Sequence, residues 1–252
     1  MSMTPSPSAH SPEKTPSSSP SSLPSPGSLP RCLPGCLPGC LIVFEGMDGS
    51  GKSTQARRLK ARLDGLSHPA VLTKEPGGTP AGARLREILL DPALPLAPEA
   101  ELFLFEADRA MHVKTLLLPE LRAGRTVLSD RLSFATVAYQ SFGGGLSREL
   151  VSTLNEVALG GVVPDVTYLL DLPVSEMARR LRERGDGPTR FELLGGDYFE
   201  RVREGYLELA RIHRGRTVVL DATRDPETLE GEIFEDLARR FPGRFATGGS
   251  PA

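Results

Sequence analysis

Phe44-Glu-Gly-Met-Asp-Gly-Ser-Gly-Lys-Ser-Thr54 decides how this chain is read. Gly46-x-x-x-x-Gly51-Lys52-Ser53 fits the pattern G-x-x-x-x-G-K-[ST], a loop whose backbone N–H groups curl around phosphate oxygens. The apolar run Leu41-Ile-Val-Phe44 just before it predicts a buried parallel strand. Behind it, Leu59, Leu63 and Leu66 recur at helical spacing. Strand, glycine loop and helix in that order give the loop its working context, because the positive end of the helix adds to the field on the phosphates. Gly46, Met47, Asp48, Gly49, Ser50, Gly51, Lys52, Ser53 and Thr54 are therefore expected to bind a nucleoside triphosphate. Lys52 would neutralise the β- and γ-phosphates, and the Ser53 hydroxyl would give Mg2+ one oxygen. Taken alone, the loop specifies a nucleoside triphosphate and nothing finer.

Further strands are predicted at 70–73, 125–130, 166–171 and 217–221, with helices at about 80–90 and 98–122. Strands separated by helices imply right-handed βαβ units, hence an α/β fold of three layers: a five-stranded parallel sheet with helices on both faces. Glu45, Asp130, Asp171 and Asp221 close the strands at the carboxyl edge, where such sheets bind ligands. One domain is expected to span 41–242, with 243–252 a frayed end.

Residues 1–40 are a different polymer, about half Ser and Pro. They carry too little apolar surface to offset the entropy of ordering, so they are expected to be a disordered tail. The tail lacks the basic start and apolar stretch of a signal peptide. The three cysteines, Cys32, Cys36 and Cys40, all lie here, which excludes a disulfide-stapled fold. Across 252 residues the charge is −2, with 30 basic against 32 acidic residues, which argues against a nucleic-acid or membrane-surface partner. No apolar run approaches the ~18 residues of a membrane span. A cytoplasmic chain is the expectation.

The motifs beyond the loop resemble those of the thymidylate kinases, which convert dTMP to dTDP with ATP. The resemblance rests on the loop together with Thr73-Lys-Glu-Pro-Gly-Gly-Thr79, Leu102-Phe-Leu-Phe-Glu-Ala-Asp-Arg109, Ser129-Asp-Arg131, Ala138-Tyr-Gln140, Pro164-Asp165 and Arg182-Glu-Arg-Gly185. It implies ATP as the triphosphate bound by residues 46–54, a nucleoside-monophosphate-kinase-like fold with a small lid, and a homodimer. By resemblance, Asp48 would hold the sugar 3′-hydroxyl, Phe105 would stack on thymine, and Arg109 would reach the base edge and phosphate region. Arg131 would clamp the dTMP phosphate, for which a forked guanidinium is suited. Asp130 would hold Mg2+ through water. Thr136 and Tyr139 would meet the thymine edge and crowd the sugar 2′ position, and Arg86 would face a phosphate.

Departures from the family pattern are Lys74, Leu132 and the glycine-rich Ser141-Phe-Gly-Gly-Gly145. Residues 182–196 mix glycines with arginines, as a closing lid would. Gly49 has no side chain where one group of the family carries an arginine, so the resemblance points to a lid arginine at the transferring phosphoryl: Arg190 first, Arg184 second. Two other readings remain open at this stage. A kinase of another nucleoside monophosphate or a deoxynucleoside would share the loop and the Asp-Arg pair. A P-loop regulatory protein that binds ATP as a switch would leave Phe105, Arg109 and Arg131 unexplained.

Overall fold

The run that begins at Leu41 is buried on both faces, as a central parallel strand must be. In the computed structural model, which describes residues 37–185 and 189–245, it forms β1 (Cys40–Glu45). The other strands are β2 (Ala70–Lys74), β3 (Thr126–Asp130), β4 (Val166–Asp171) and β5 (Thr217–Asp221). All pair in parallel, in the order β2-β3-β1-β4-β5. Side chains alternate across a strand. Ile42 and Phe44 accordingly join one core with Leu59, Leu63, Tyr168 and Phe234, while Leu41 and Val43 join another with Leu117, Leu121 and Val127. Phe44 lies opposite both Asp130 and Tyr168, so the polar residues that follow these strands emerge level, at one edge.

Helices α1 (Lys52–Gly65), α2 (Pro80–Leu90) and α3 (Pro98–His112) come next in the chain around β2. Thr79 caps α2 by accepting from the Gly82 N–H at 3.0 Å, and Pro80 and Pro98 occupy first helical positions, where no N–H is needed. The helix predicted over 98–122 is continuous in path but not uniform. α3 widens into a π-helical turn over Val113–Leu117 before α4 (Leu118–Arg122). Pro119 has no N–H to offer the preceding turn, which accounts for the widening. A second π-helical stretch, Val137–Gly143, follows α5 (Ser133–Thr136) and leads to α6 (Arg148–Leu159).

The remaining helices are α7 (Val174–Arg184), α8 (Gly196–Ile212) and α9 (Pro226–Arg240). At Gly205 of α8, a Cβ would stand 2.7 Å from the Phe142 ring, so only glycine lets α8 close on the π-helical stretch.

Two expected boundaries move. Cys40, assigned to the tail, opens β1 and is buried, and Leu37 packs against the core beneath it. Phe245, assigned to the frayed end, is fully buried against Phe241 and His68, while Arg244 donates to the Pro38 carbonyl. Residues 1–36 of the tail, residues 246–252 and lid residues 186–188 lie outside the described residues.

Candidate active site

The site is assembled where β1, β3 and β4 end. Gly46 takes φ 134, and a Cβ there would sit 2.5 Å from the Leu170 carbonyl, so the loop leaves β1 by a path closed to other residues. Gly51 at φ 93 precedes α1, and Lys52 is buried with its Nζ donating to the Met47 carbonyl at 2.8 Å. Burial, then the nearby Arg131 cation, pulls the Lys52 ammonium down to about 8. Buried Ser50 Oγ has no partner among the described residues. Ser53 Oγ donates to the Asp130 carboxylate. These two hard oxygens, side by side at the mouth of the loop, fit Mg2+, which takes one or two protein oxygens and completes its shell with phosphates and water.

Arg131 leaves β3 with φ 76, a left-handed conformation that costs a side-chain-bearing residue about 1 kcal/mol or more. Its neighbours fix that pose. The Arg131 N–H donates to Phe44 O at 2.9 Å, and the following Leu132 N–H donates to Glu45 Oε1 at 2.9 Å. The guanidinium spreads its donors: Nη1 to Gly46 O (3.1 Å) and Tyr206 Oη (2.8 Å), Nη2 to Asp48 Oδ1 (2.6 Å) and Tyr139 Oη (3.4 Å). Its Nε makes no hydrogen bond to the described residues and is left for a ligand. Asp48 also accepts from Tyr139 Oη at 3.2 Å. Desolvation opposes ionisation of Asp48, yet Arg131 and Lys52 hold its carboxyl down to about 2.

Asp48, Arg86, Phe105, Arg109, Arg131, Thr136 and Tyr139 all line one cavity of about 140 Å³, together with Gln140, Arg184 and Phe191. Phe105 is only partly buried, its ring centroid 6.0 Å from that of Phe191. Arg86 uses Nη1 on the Pro76 carbonyl (2.9 Å). Arg109 is different. All five of its donors are taken: Nε by Glu75, Nη1 by Glu106 and Asn155, Nη2 by Leu132 O and Thr136 Oγ1. In this pose it organises the cavity wall, and reaching a base edge or phosphate would mean giving up one of those bonds. His112 extends the network below the cavity, between Glu75 Oε1 (2.8 Å) and Thr73 Oγ1 (2.7 Å).

The lid arginines part company. Arg184 faces the cavity and meets Glu192 at 3.2 Å. Arg190 is not brought to the phosphate loop: its Nη2 is tied to Glu101 on α3, and its Nε lies 3.4 Å from Leu89 O. The arginine against the loop is Arg180 of α7, which donates to Gly49 O (3.2 Å) and Ala222 O (2.9 Å). Sequence reasoning placed Glu45 at the ligand edge without a role, and passed over Arg180, Glu75 and Tyr206. Glu75 lay in a quoted string and could have been found; Arg180 and Tyr206 sit in helices with no distinguishing local pattern.

A family model described as "Thymidylate kinase" matches residues 44–233. The thymidylate kinase of Nitratidesulfovibrio vulgaris (strain Miyazaki F) is 47% identical over 205 residues, covering 79% of this chain and 94% of that protein. That of Deinococcus radiodurans is 43% identical over 199 residues, covering 79% of this chain and 96% of the relative. Among solved structures, a thymidylate kinase from Ehrlichia chaffeensis superposes with a TM-score of 0.65 at 30% identity, covering 79% of this chain and 98% of that one.

Proposed function

The chain belongs to the thymidylate kinase family, and from that premise we propose how its residues carry out the reaction. The enzyme transfers the γ-phosphoryl group of ATP to dTMP, giving dTDP for deoxythymidine nucleotide biosynthesis and the supply of dTTP. One observation supports the assignment of residues above the others: the seven positions expected to hold dTMP line a single cavity whose phosphate end is Arg131, beside the ATP loop.

Transfer asks the protein to align two anions, neutralise charge and exclude water. Lys52 and the loop N–H groups hold the β- and γ-phosphates. Arg131, through its Nε, holds the dTMP phosphate, with Arg86 lining the same cavity. Phe105 stacks on the base, Thr136 and Arg109 shape its edge, and Asp48 and Tyr139 meet the sugar. Ser53 and Asp130 would hold Mg2+, which neutralises the phosphate oxygens on which charge builds. Arg184 and Arg190 are the lid cations that reach the phosphoryl on closure, Arg190 after releasing Glu101.

We place the enzyme in the cytoplasm; among the described residues no helix is long and apolar enough to cross a membrane. We assign it a homodimer through α3 and α6. Phe103, Ala107 and Met111 form an exposed apolar row on α3 at spacing four, and Leu150 and Val157 are exposed on α6 beside it. Such a patch, met by its own copy across a two-fold axis, is self-complementary. Phe103→Glu should give a monomer in sedimentation; an unchanged dimer would place the interface elsewhere.

A coupled ADP-release assay over the nucleoside monophosphates and thymidine tests the substrate. Turnover highest with dTMP is expected. Preference for thymidine would make it a deoxynucleoside kinase, and ATP turnover indifferent to every acceptor would make it a regulatory protein.

A further inference from the structure

The left-handed residue that grips the substrate phosphate needs something to hold it there, and two side chains with no part in the scheme above touch its anchors. Glu45 is buried at the end of β1. Its Oε1 accepts from Leu132 N–H, which fixes the backbone just after Arg131, and its Oε2 lies 3.3 Å from Tyr206 Oη. Tyr206, buried on α8, is also 2.8 Å from Arg131 Nη1. A phenol has one hydrogen. Because Arg131 can only donate, the Tyr206 oxygen accepts from it and the Tyr206 hydrogen goes to Glu45. The order of donation is thus set: Arg131 to Tyr206 to Glu45, with both oxygens of Glu45 acting as acceptors.

We propose that Glu45 and Tyr206 are positioning residues for Arg131, coupled so that only the ionised Glu45 carboxylate keeps the guanidinium in its dTMP-facing pose. The proposal rests on the assignment of Arg131 to the acceptor phosphate. A proton on Oε2 would turn that oxygen from acceptor to donor. Two hydrogens would then compete for the Tyr206 oxygen, or the phenol would turn its own hydrogen towards the guanidinium; either way Arg131 loses its tie to α8. The groups facing Glu45 are Lys52 from α1, Arg131 and Leu132 N–H from the turn after β3, Arg109 from α3 and Tyr206 from α8. Burial pushes its carboxyl up to about 7, against the pull of those three cations. A carboxyl at about 7 changes charge inside the pH interval over which the variants are compared.

The test is the ratio of wild-type to variant kcat/KM for dTMP across pH 6 to 8.5, with ATP saturating. The second ionisation of the dTMP phosphate, near pH ~6, affects both enzymes and cancels in the ratio. Glu45→Gln puts an amide donor where an acceptor is needed, imitating the protonated state. At pH 8.5 the ratio should be about tenfold or more, mostly in the KM for dTMP, and it should fall to about two by pH 6, as the wild type itself becomes protonated. Tyr206→Phe removes the relay without touching the carboxylate and should give a ratio with the same fall; it decides the matter should Glu45→Gln not fold. Ratios for both variants that stay flat with pH would mean packing roles only and would overturn the proposal. A wild type inactive on dTMP at pH 8.5 would instead remove the functional reading, and this inference with it.

Discussion

Arg131→Lys separates charge from geometry at the acceptor phosphate. Lysine keeps the positive charge, so Asp48, held down to about 2 by Arg131 and Lys52, stays ionised at assay pH. It also keeps a Cβ at φ 76, so the backbone strain is common to both proteins, whereas Arg131→Gly would release it and confound the comparison. What lysine cannot do is span. Nη1 serves Gly46 O and Tyr206 at 3.1 and 2.8 Å, Nη2 serves Asp48 at 2.6 Å, and Nε remains for the ligand. One ammonium at the end of a flexible stem replaces at most one of these directions well.

Losing one to two charge-assisted bonds in a site shielded from water costs about 2–3 kcal/mol of transition-state binding, or roughly 30- to 150-fold in kcat/KM for dTMP. The KM for ATP should change less than about threefold, since Lys52 and the loop amides are untouched. Coupled ADP release at varied dTMP and fixed saturating ATP, then the reverse, measures both. A lysine variant within about threefold of wild type in kcat/KM for dTMP would show that charge alone matters and that the fork has no role.

Arg190→Ala and Arg184→Ala should each lower kcat by a factor on the order of 10²–10³ with the KM for dTMP little changed; an unchanged kcat in both would remove the lid arginines from the mechanism. Asp108 is fully buried beside Glu75, and burial pushes its carboxyl up to about 6. A raised carboxyl favours the protonated fold, so its contribution is present below the unfolded pKa and lost as pH rises through about 6. Asp108→Asn keeps an acceptor for the Gly77 N–H and should raise Tm at pH 8 by a few degrees, worth about 2 kcal/mol, but not at pH 4; equal shifts at both would contradict it. Removing residues 1–36 should leave Tm unchanged, whereas removing 1–40 should cost about 2–4 kcal/mol, because it strips Cys40 from β1, the Gly39 N–H to Leu121 O bond at 2.8 Å and the Pro38 acceptor of Arg244. Chemical denaturation of both truncations decides.

The strands and the loop were legible because their signals are local. A short apolar run with a glycine turn after it reads the same in any fold, and all five strand expectations match observed elements to within a residue or so. The chain ends were not legible, because burial there is decided by partners far away in sequence. Phe245 is surrounded by Phe241 and His68, and Cys40 follows Gly39, whose N–H is taken by Leu121. The cavity residues could be listed from resemblance, but their division of labour could not. That Arg190 rests on Glu101 while Arg180 lies on the loop depends on where α3 and α7 stand across the site. No spacing along one segment encodes this.

Counting donors then separates arginines that a sequence string treats alike. Arg109 and Arg131 both line the cavity, and both are buried or nearly so. Arg109 spends all five N–H groups on Glu75, Glu106, Asn155, Leu132 and Thr136, so its charge is already compensated within the fold. Among the described residues, Arg131 Nε has no hydrogen-bond acceptor, and Arg86 uses a single donor nitrogen on one carbonyl. Burial, then the field of Arg131, lowers both Lys52 and Arg86, and the carboxylates of Asp48 and Asp130 offset this only in part. The Arg131 Nε and the Arg86 guanidinium, at the end of a parallel sheet, are the donors that the proposed anionic ligands would use. On the proposed reading, the two phosphate-bearing substrates meet the Arg131 Nε and the Arg86 guanidinium above an Arg109 whose donors are already taken within the fold.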